Sequence, residues 1–339
     1  MTRPTAATTD APALEVRDLV VRFHGEGGAV TVVDGVSFSV RPAQTLCLVG
    51  ESGCGKTTTA LTTLRLEPES AEIAEGSSIL VEGADMGTLS RHEIEDIRGT
   101  RIAMIFQEPL TALNPVMTIG DQIAEGIRRH WRRGRPEARR RAIEMLRLVR
   151  MPDPERRARQ FPHELSGGQR QRAMIAVALA CDPLILVADE PTTALDVTIQ
   201  AQILKLMRSL QKRLGTALLL ITHDFGVVAE MADRVAVMYA GRIVEDGPVA
   251  KLFDDPLHPY TRMLMQAAPQ ATAGGKRKPL ANIPGTVPSF VDLPSGCAFH
   301  PRCPLAIERC RHEQPALETK RADHAAACFL VPVEAANGA

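Results

Sequence analysis

One eight-residue stretch, Gly50-Glu51-Ser52-Gly53-Cys54-Gly55-Lys56-Thr57, constrains the fold more than any other part of the chain. Thr45-Leu46-Cys47-Leu48-Val49 precedes it, an apolar run of strand length. Thr58 to Leu66 follows, with helical composition and no Pro or Gly. The pattern GxxxxGK[ST] thus lies between a strand and a helix, where its chemistry requires it. The glycines let backbone N–H groups turn inward around a polyphosphate. Lys56 is placed to reach the outer phosphates and Thr57 to offer its hydroxyl to Mg²⁺. The helix directs its positive end at the same anion. A plain glycine turn with a surface lysine is the competing reading, and the motifs further along weigh against it.

Three later strands end in polar residues. Arg101 to Phe106 reads as a buried strand running into Gln107-Glu108-Pro109. Leu184-Ile185-Leu186-Val187-Ala188 is wholly apolar, as in a parallel sheet, and ends at Asp189-Glu190. Thr216 to Ile221 is apolar and ends at Thr222-His223-Asp224. Ligands collect at the C-terminal ends of strands in open α/β sheets. Adjacent buried carboxylates are costly unless paired, and a metal ion with a phosphate pairs them. Asp189 fits a Mg²⁺ partner and Glu190 a base for an attacking water. Each polar residue alone is also compatible with a structural role.

Leu165-Ser166-Gly167-Gly168-Gln169 precedes an uninterrupted helical run from Arg170 to Ala180. Ser166 is placed as its N-cap, and two glycines expose backbone N–H groups. It is a second anion-binding helix start, without a lysine. Two unlike starts suggest a shared site; an ordinary capped helix is the alternative.

Upstream, Leu14 to Phe23 alternates as a strand does, Gly25, Gly27 and Gly28 make a turn, and Val30 to Val40 reads as a second strand broken at Asp34-Gly35. An antiparallel pair ahead of the lysine loop is expected. Phe23 either stacks on an adenine ring or fills the core. Ile119, Ile123 and Ile127 recur at helical spacing, as do Ala138, Ala142, Met145, Leu146 and Val149. These mark helices inserted into a sheet domain, and their arginines read as solvated faces rather than DNA contacts. Lys plus Arg and Asp plus Glu number 40 each, and aromatics are 4%, so neither charge nor stacking supports nucleic-acid binding. No apolar stretch approaches the ~20 residues that span a bilayer. Met1 to Ala13 lacks an apolar signal core and is expected to be disordered.

In order and spacing, Gly50 to Thr57, Gln107, Leu165 to Gln169, Asp189-Glu190, Ala194-Leu195-Asp196 and His223 resemble the ATPase subunits of ABC transporters. The resemblance covers about Leu14 to Leu264. The later segment, with Gly296-Cys297-Ala298-Phe299-His300-Pro301-Arg302-Cys303-Pro304, is similar to the C-terminal extension of the oligopeptide/dipeptide importer branch. The fold implied is α/β: an ABC-type P-loop ATPase domain over 14–264, with a mixed sheet core, an antiparallel β subdomain and an inserted helical subdomain at about 110–165. A small Cys/Pro-rich extension over 265–339 follows, with a linker at Ala271 to Lys278.

By the same resemblance, two such domains face head to tail. Each ATP lies between one chain's loop, Gly50 to Thr58, and the other's Ser166-Gly167-Gly168-Gln169. Phe23 becomes the adenine stacker. Thr57, Gln107 and Asp189 serve Mg²⁺, Glu190 polarises the water, and His223 contacts the γ-phosphate. Gln107 also moves the helical subdomain against a membrane partner. Implied partners are a second ATPase subunit (a distinct paralogue, or a second copy), two transmembrane permeases and an extracytoplasmic solute-binding protein, with no nucleic acid. The implied location is the cytoplasmic face of the cell membrane, peripheral through the permeases. The implied function is ATP hydrolysis that energises import of dipeptides or oligopeptides. A same-branch importer for nickel, glutathione or another small solute is the first alternative. A soluble ABC ATPase acting on DNA or ribosomes is the second, disfavoured by the single lysine loop and the lack of long coiled-coil insertions.

Cys297, Cys303, Cys310 and Cys328, spaced C-x5-C-x6-C-x17-C, lie in a Pro-rich segment with little core of its own. Four thiols there suggest a metal staple, for zinc or an iron–sulfur cluster. Resemblance favours [4Fe–4S]; an empty set of reduced thiols is the remaining alternative. Seven cysteines in all, an odd count, argue against a disulfide framework.

Overall fold

The computed structural model describes residues 11–193, 195–267 and 283–334. The first ten residues of the expected disordered tail, Ala194, and the expected linker at Ala271 to Lys278 lie outside the described residues. The chain divides into two compact units: one takes residues 16–38, 46–78 and 221–339, the other 1–15, 39–45 and 79–220.

The unit that holds the lysine loop contains two groups of strands. β1 (Leu14–Gly25) and β2 (Gly28–Val40) pair through a two-residue turn, the expected hairpin. The expected break at Asp34-Gly35 is absent. Gly35 takes a φ of +69°, a conformation open to glycine at little cost, and the strand runs on. The Asp34 N–H leaves the ladder to donate to the Gly241 carbonyl at 2.9 Å. A short β4 (Ala71–Ile73) lies antiparallel to β1, with Phe23 opposite Ala71.

In the second group β3 (Thr45–Val49) runs parallel to β10 (Arg234–Tyr239), and β10 pairs antiparallel with β11 (Arg242–Pro248). The far edge of β11 takes up β13 (His324–Ala326), which pairs in turn with β12 (Glu318–Arg321). The sequence reading has no counterpart for these last two strands. The C-terminal segment therefore adds to a sheet edge and contributes Phe299 to an aromatic cluster with two tyrosines. Tyr239, Tyr260 and Phe299 are each at most 2% exposed, with ring centroids 4.6–5.2 Å apart.

Glu245 anchors that addition. It is fully buried, and its carboxylate accepts from the N–H groups of Leu257 at 2.7 Å and His258 at 2.8 Å. A third contact comes from His324 Nε2 at 2.8 Å, in β13. Gly247 gives the ring room: a Cβ there would sit 2.7 Å from His324 Cδ2.

The other unit carries β7 (Ile102–Ile105), β8 (Ile185–Asp189) and β9 (Ala217–Thr222), in the order β9-β8-β7. Every residue of the three is buried and β7 runs parallel to β8, as their continuous apolar runs require. β5 (Ser78–Val81) and β6 (Ala84–Asp85) form a small antiparallel pair. Helices Ile119–Trp131 and Arg135–Leu148 bury the predicted stripes: all eight apolar residues named above are 0% exposed. Thr118 caps the first helix by accepting from the Asp121 N–H, and Gly120 lets its backbone approach Ala158, donating to that carbonyl at 2.8 Å. The arginine-rich faces are exposed at Arg128, Arg129, Arg132, Arg133, Arg139 and Arg140, as expected of solvated helix surfaces.

Removing the Glu245 side chain strands two buried N–H groups and a histidine. Glu245→Ala is expected to destabilise the fold by about 3 kcal/mol or more, and His324→Ala by about 1–3 kcal/mol. Urea denaturation of the full chain checks both, and equal, near-zero effects would contradict the anchor.

Candidate active site

Val49 ends β3, and the chain enters the glycine loop at once. A Cβ on Gly50 would lie 2.2 Å from the Met238 carbonyl oxygen, and one on Gly55 would lie 2.8 Å from that of Val32. Both residues are thus glycine for want of space. Gly53 and Gly55 also have φ of +80° and +103°, which an L side chain strains to adopt. Gly55 is the N-cap residue of the helix Lys56–Thr63. Ser52, Gly53 and Thr57 are exposed and Thr58 is half-buried, while Cys54, Gly55 and Lys56 are buried. Lys56 Nζ donates to the carbonyls of Gly50 and Glu51, each at 2.8 Å. The ammonium is therefore held within the loop, where it presents a fixed positive charge. Burial pushes the Cys54 thiol up, and the Lys56 charge opposes this in part. Phe23 is half-buried in β1, and His223 is exposed directly after β9.

In the other unit, Gln107 and Glu190 meet. Gln107 Nε2 donates to Glu190 Oε2 at 3.2 Å, and Thr193 Oγ1 donates to the same oxygen at 2.8 Å. Glu190 has a φ of 43°, a left-handed conformation that costs a non-glycine residue about 1 kcal/mol or more. The Thr193 N–H closes that turn on the Glu190 carbonyl at 3.1 Å. Asp189 is 2% exposed at the end of β8. Thr193 is a contributor the sequence reading missed; as one of several threonines after a strand, it carries no signal of its own.

Ser166 is the N-cap residue of the helix Gly167–Ala178, as expected. Its N–H donates to Gln169 Oε1 at 3.2 Å. A Cβ on Gly168 would lie 2.9 Å from Ile199 Cγ2, so helix packing fixes the second glycine. Ser166 and Gly167 are exposed.

The four C-terminal cysteines line one small cavity of about 20 Å³, with His258, Phe299 and Pro315 among its walls. Among the described residues, no group of three or more His, Cys, Asp or Glu side chains is disposed to hold a metal ion. Burial pushes the Cys297 thiol up to about 11, and raises Cys303 and Cys328 as well. Each unit by itself carries a hard oxygen donor of the kind that Mg²⁺ takes, the Thr57 hydroxyl in one and the Asp189 carboxylate in the other.

Residues 33–193 match the family described as "ABC transporter", and residues 244–310 match "Oligopeptide/dipeptide transporter, C-terminal region". A Sinorhizobium fredii protein named "Probable peptide ABC transporter ATP-binding protein" is 54% identical over 316 residues, 93% of this chain and 94% of that one. A Brucella melitensis protein, named for peptide import and ATP binding, is 51% identical over 311 residues, 92% of this chain and 93% of its own. A bacterial ABC transporter cassette solved as a dimer aligns with a TM-score of 0.63 at 25% identity, over 70% of this chain and 98% of that one.

A thiol raised to about 11 carries roughly 100-fold less thiolate at neutral pH than one at the ordinary value of 9.0. Alkylation of Cys297 in the folded, metal-free chain is expected to be correspondingly slow at pH 7.5. It should accelerate about tenfold per pH unit up to pH 11, as site-resolved mass spectrometry will show. Labelling at the rate of the denatured chain would contradict the half-buried, protonated thiol.

Proposed function

This chain belongs to the ATP-binding subunits of ABC transporters, in the oligopeptide/dipeptide branch, and from that premise we propose that it hydrolyses ATP to energise peptide import. ATP binds at the glycine loop. Lys56 neutralises the outer phosphates, and the N–H groups of Gly53 to Thr58 line them. Phe23 would stack on the adenine, and Thr57, Asp189 and Gln107 would serve Mg²⁺, which when bound would offset phosphate charge. Glu190 accepts the proton of the attacking water, and His223 contacts the γ-phosphate.

One observation carries the hydrolytic reading: Gln107 and Thr193 converge on one carboxylate oxygen of Glu190, in a strained turn. Two donors on that oxygen orient the carboxylate, as a general base requires. Gln107 also reports its own position directly to that base.

A second ATPase subunit, paralogue or copy, supplies the Ser166-Gly167-Gly168-Gln169 that covers the nucleotide. The dimeric form of the related cassette supports this. Phe106, next to Gln107 in the chain, and Leu110 and Val116 after it are 37%, 54% and 80% exposed, and such apolar side chains suit a docked permease. No helix among the described residues is long and apolar enough to cross a membrane, and the spanning path is assigned to two permeases. An extracytoplasmic binding protein delivers the peptide, and the chain works at the cytoplasmic face of the membrane. Closure on ATP and opening after hydrolysis drive alternating access.

Four cysteines on one cavity support a thiolate site there, with [4Fe–4S] as the expected group and zinc as the alternative. Because the side chains are not disposed as a ligand set, no step of the cycle is routed through it.

In the complex purified with its permeases, ATPase activity is expected to rise when peptide-loaded binding protein is added. Glu190→Gln should retain ATP binding while turnover falls by about 10²-fold or more. Near-normal turnover would remove Glu190 as the base, and copurified ribosomes or nucleic acid without permeases would sink the transport reading. Protein purified without oxygen should be brown and contain iron and sulfide. A colourless preparation with zinc replaces the cluster, and one without metal ends the thiolate-site reading.

A further inference from the structure

All three polar groups of Glu51, the first variable residue of the phosphate loop, are engaged. Its N–H donates to Tyr260 Oη at 2.9 Å, and its carbonyl accepts from Lys56 Nζ at 2.8 Å. Its carboxylate accepts from both terminal nitrogens of Arg302, at 2.7 and 2.9 Å. Arg302 stands 251 residues further along the chain, in the cysteine-bearing segment, and its side chain is only 5% exposed.

Arg302 is itself fixed on every side. Its Nε donates to the Pro284 carbonyl at 2.9 Å, and Nη1 also reaches Tyr239 Oη at 3.4 Å. The guanidinium lies over the Tyr239 ring, 5.8 Å from the centroid. Arg302 closes the short 3-10 turn His300–Arg302, between Cys297 and Cys303, and Phe299 before the turn is packed against Tyr239 and Tyr260. A two-pronged guanidinium–carboxylate pair sets orientation as well as distance, which a lysine cannot do.

We propose that Arg302 is a positioning residue for nucleotide binding. It holds Glu51, and through Glu51 the entry of the phosphate loop and the carbonyl on which Lys56 rests, in the geometry that receives the phosphates. The C-terminal segment thereby sets ATP affinity, where the bland alternative is that the pair only fastens this segment to the fold. The inference rests on the reading of the loop as the ATP site.

The test uses the full chain and a fluorescent ATP analogue displaced by MgATP, with a melting curve for each variant. Arg302→Lys and Glu51→Gln are each expected to raise the Kd for MgATP about tenfold, because each breaks the two-pronged pair. The double variant should bind no more weakly than the weaker single, since both changes remove one interaction. His324→Ala, which loosens the same segment at the Glu245 anchor, should lower the melting midpoint and leave Kd unchanged. If Arg302→Lys does not fold, Glu51→Gln and His324→Ala still decide. Wild-type Kd in the Glu51→Gln and Arg302→Lys variants overturns the proposal, as does an equal rise in His324→Ala. A wild-type chain that binds no ATP overturns the reading of the loop itself, a separate and visible outcome.

Discussion

The backbone of Gly50 passes so close to β10 that a methyl group would sit 2.2 Å from the Met238 oxygen. That approach, more than any side-chain contact, shapes the phosphate loop. The Val32 carbonyl does the same on another side, since a Cβ on Gly55 or Gly241 would lie 2.8 or 2.7 Å from it. The Gly241 N–H donates to the Cys54 carbonyl at 3.0 Å and ties the loop to the β10–β11 turn. A loop walled by main chain cannot relax by changing a rotamer. Its geometry is inherited from the register of β3 with β10, and that register is set by fully buried apolar strands. The glycines are thus needed twice, for φ at Gly53 and Gly55 and for space at Gly50 and Gly55.

Polar contacts in the molecule fall into two kinds. The Glu245 carboxylate is fully buried and has three donors, so losing any of them leaves a polar group stranded in a low-dielectric interior. Gln107 and Glu190 meet at 3.2 Å where Gln107 is exposed to solvent. Water replaces such a contact at small cost. The first kind suits a joint that must not move, and the second suits a contact made and broken in each catalytic cycle.

The parts of the fold legible in the sequence were those with strong local periodicity. The continuous apolar runs at β3, β8 and β9 and the helical stripes from Ile119 and Ala138 are all buried as read. Motif residues with fixed spacing fell at strand ends and helix starts for the same reason: local backbone geometry places them. Asp34-Gly35 misled because glycine punctuates turns more often than it bends a continuing strand. β12 and β13 escaped notice because both are short and Glu318 to Arg321 is wholly polar, with no apolar alternation to mark a strand. Glu51 with Arg302, and Glu245 with His324, were invisible for another reason. Pairs separated by 251 and 79 residues leave no local pattern, and only the assembled sheet brings them together. The cysteine spacing gathered four thiols on one cavity but did not fix their disposition as ligands.

The β11 edge is completed by a strand that leaves the ribosome long after it. During translation Glu51 waits 251 residues for its guanidinium and Glu245 waits 79 for its histidine. The nascent polypeptide can therefore form β3, the glycine loop and its helix without finishing the surroundings that steady them. An open strand edge in that interval is a site for wrong pairing, which docking of the β12–β13 hairpin covers. The surroundings of the glycine loop and of the β11 edge are thus complete only once the segment from Arg302 to His324 is in place.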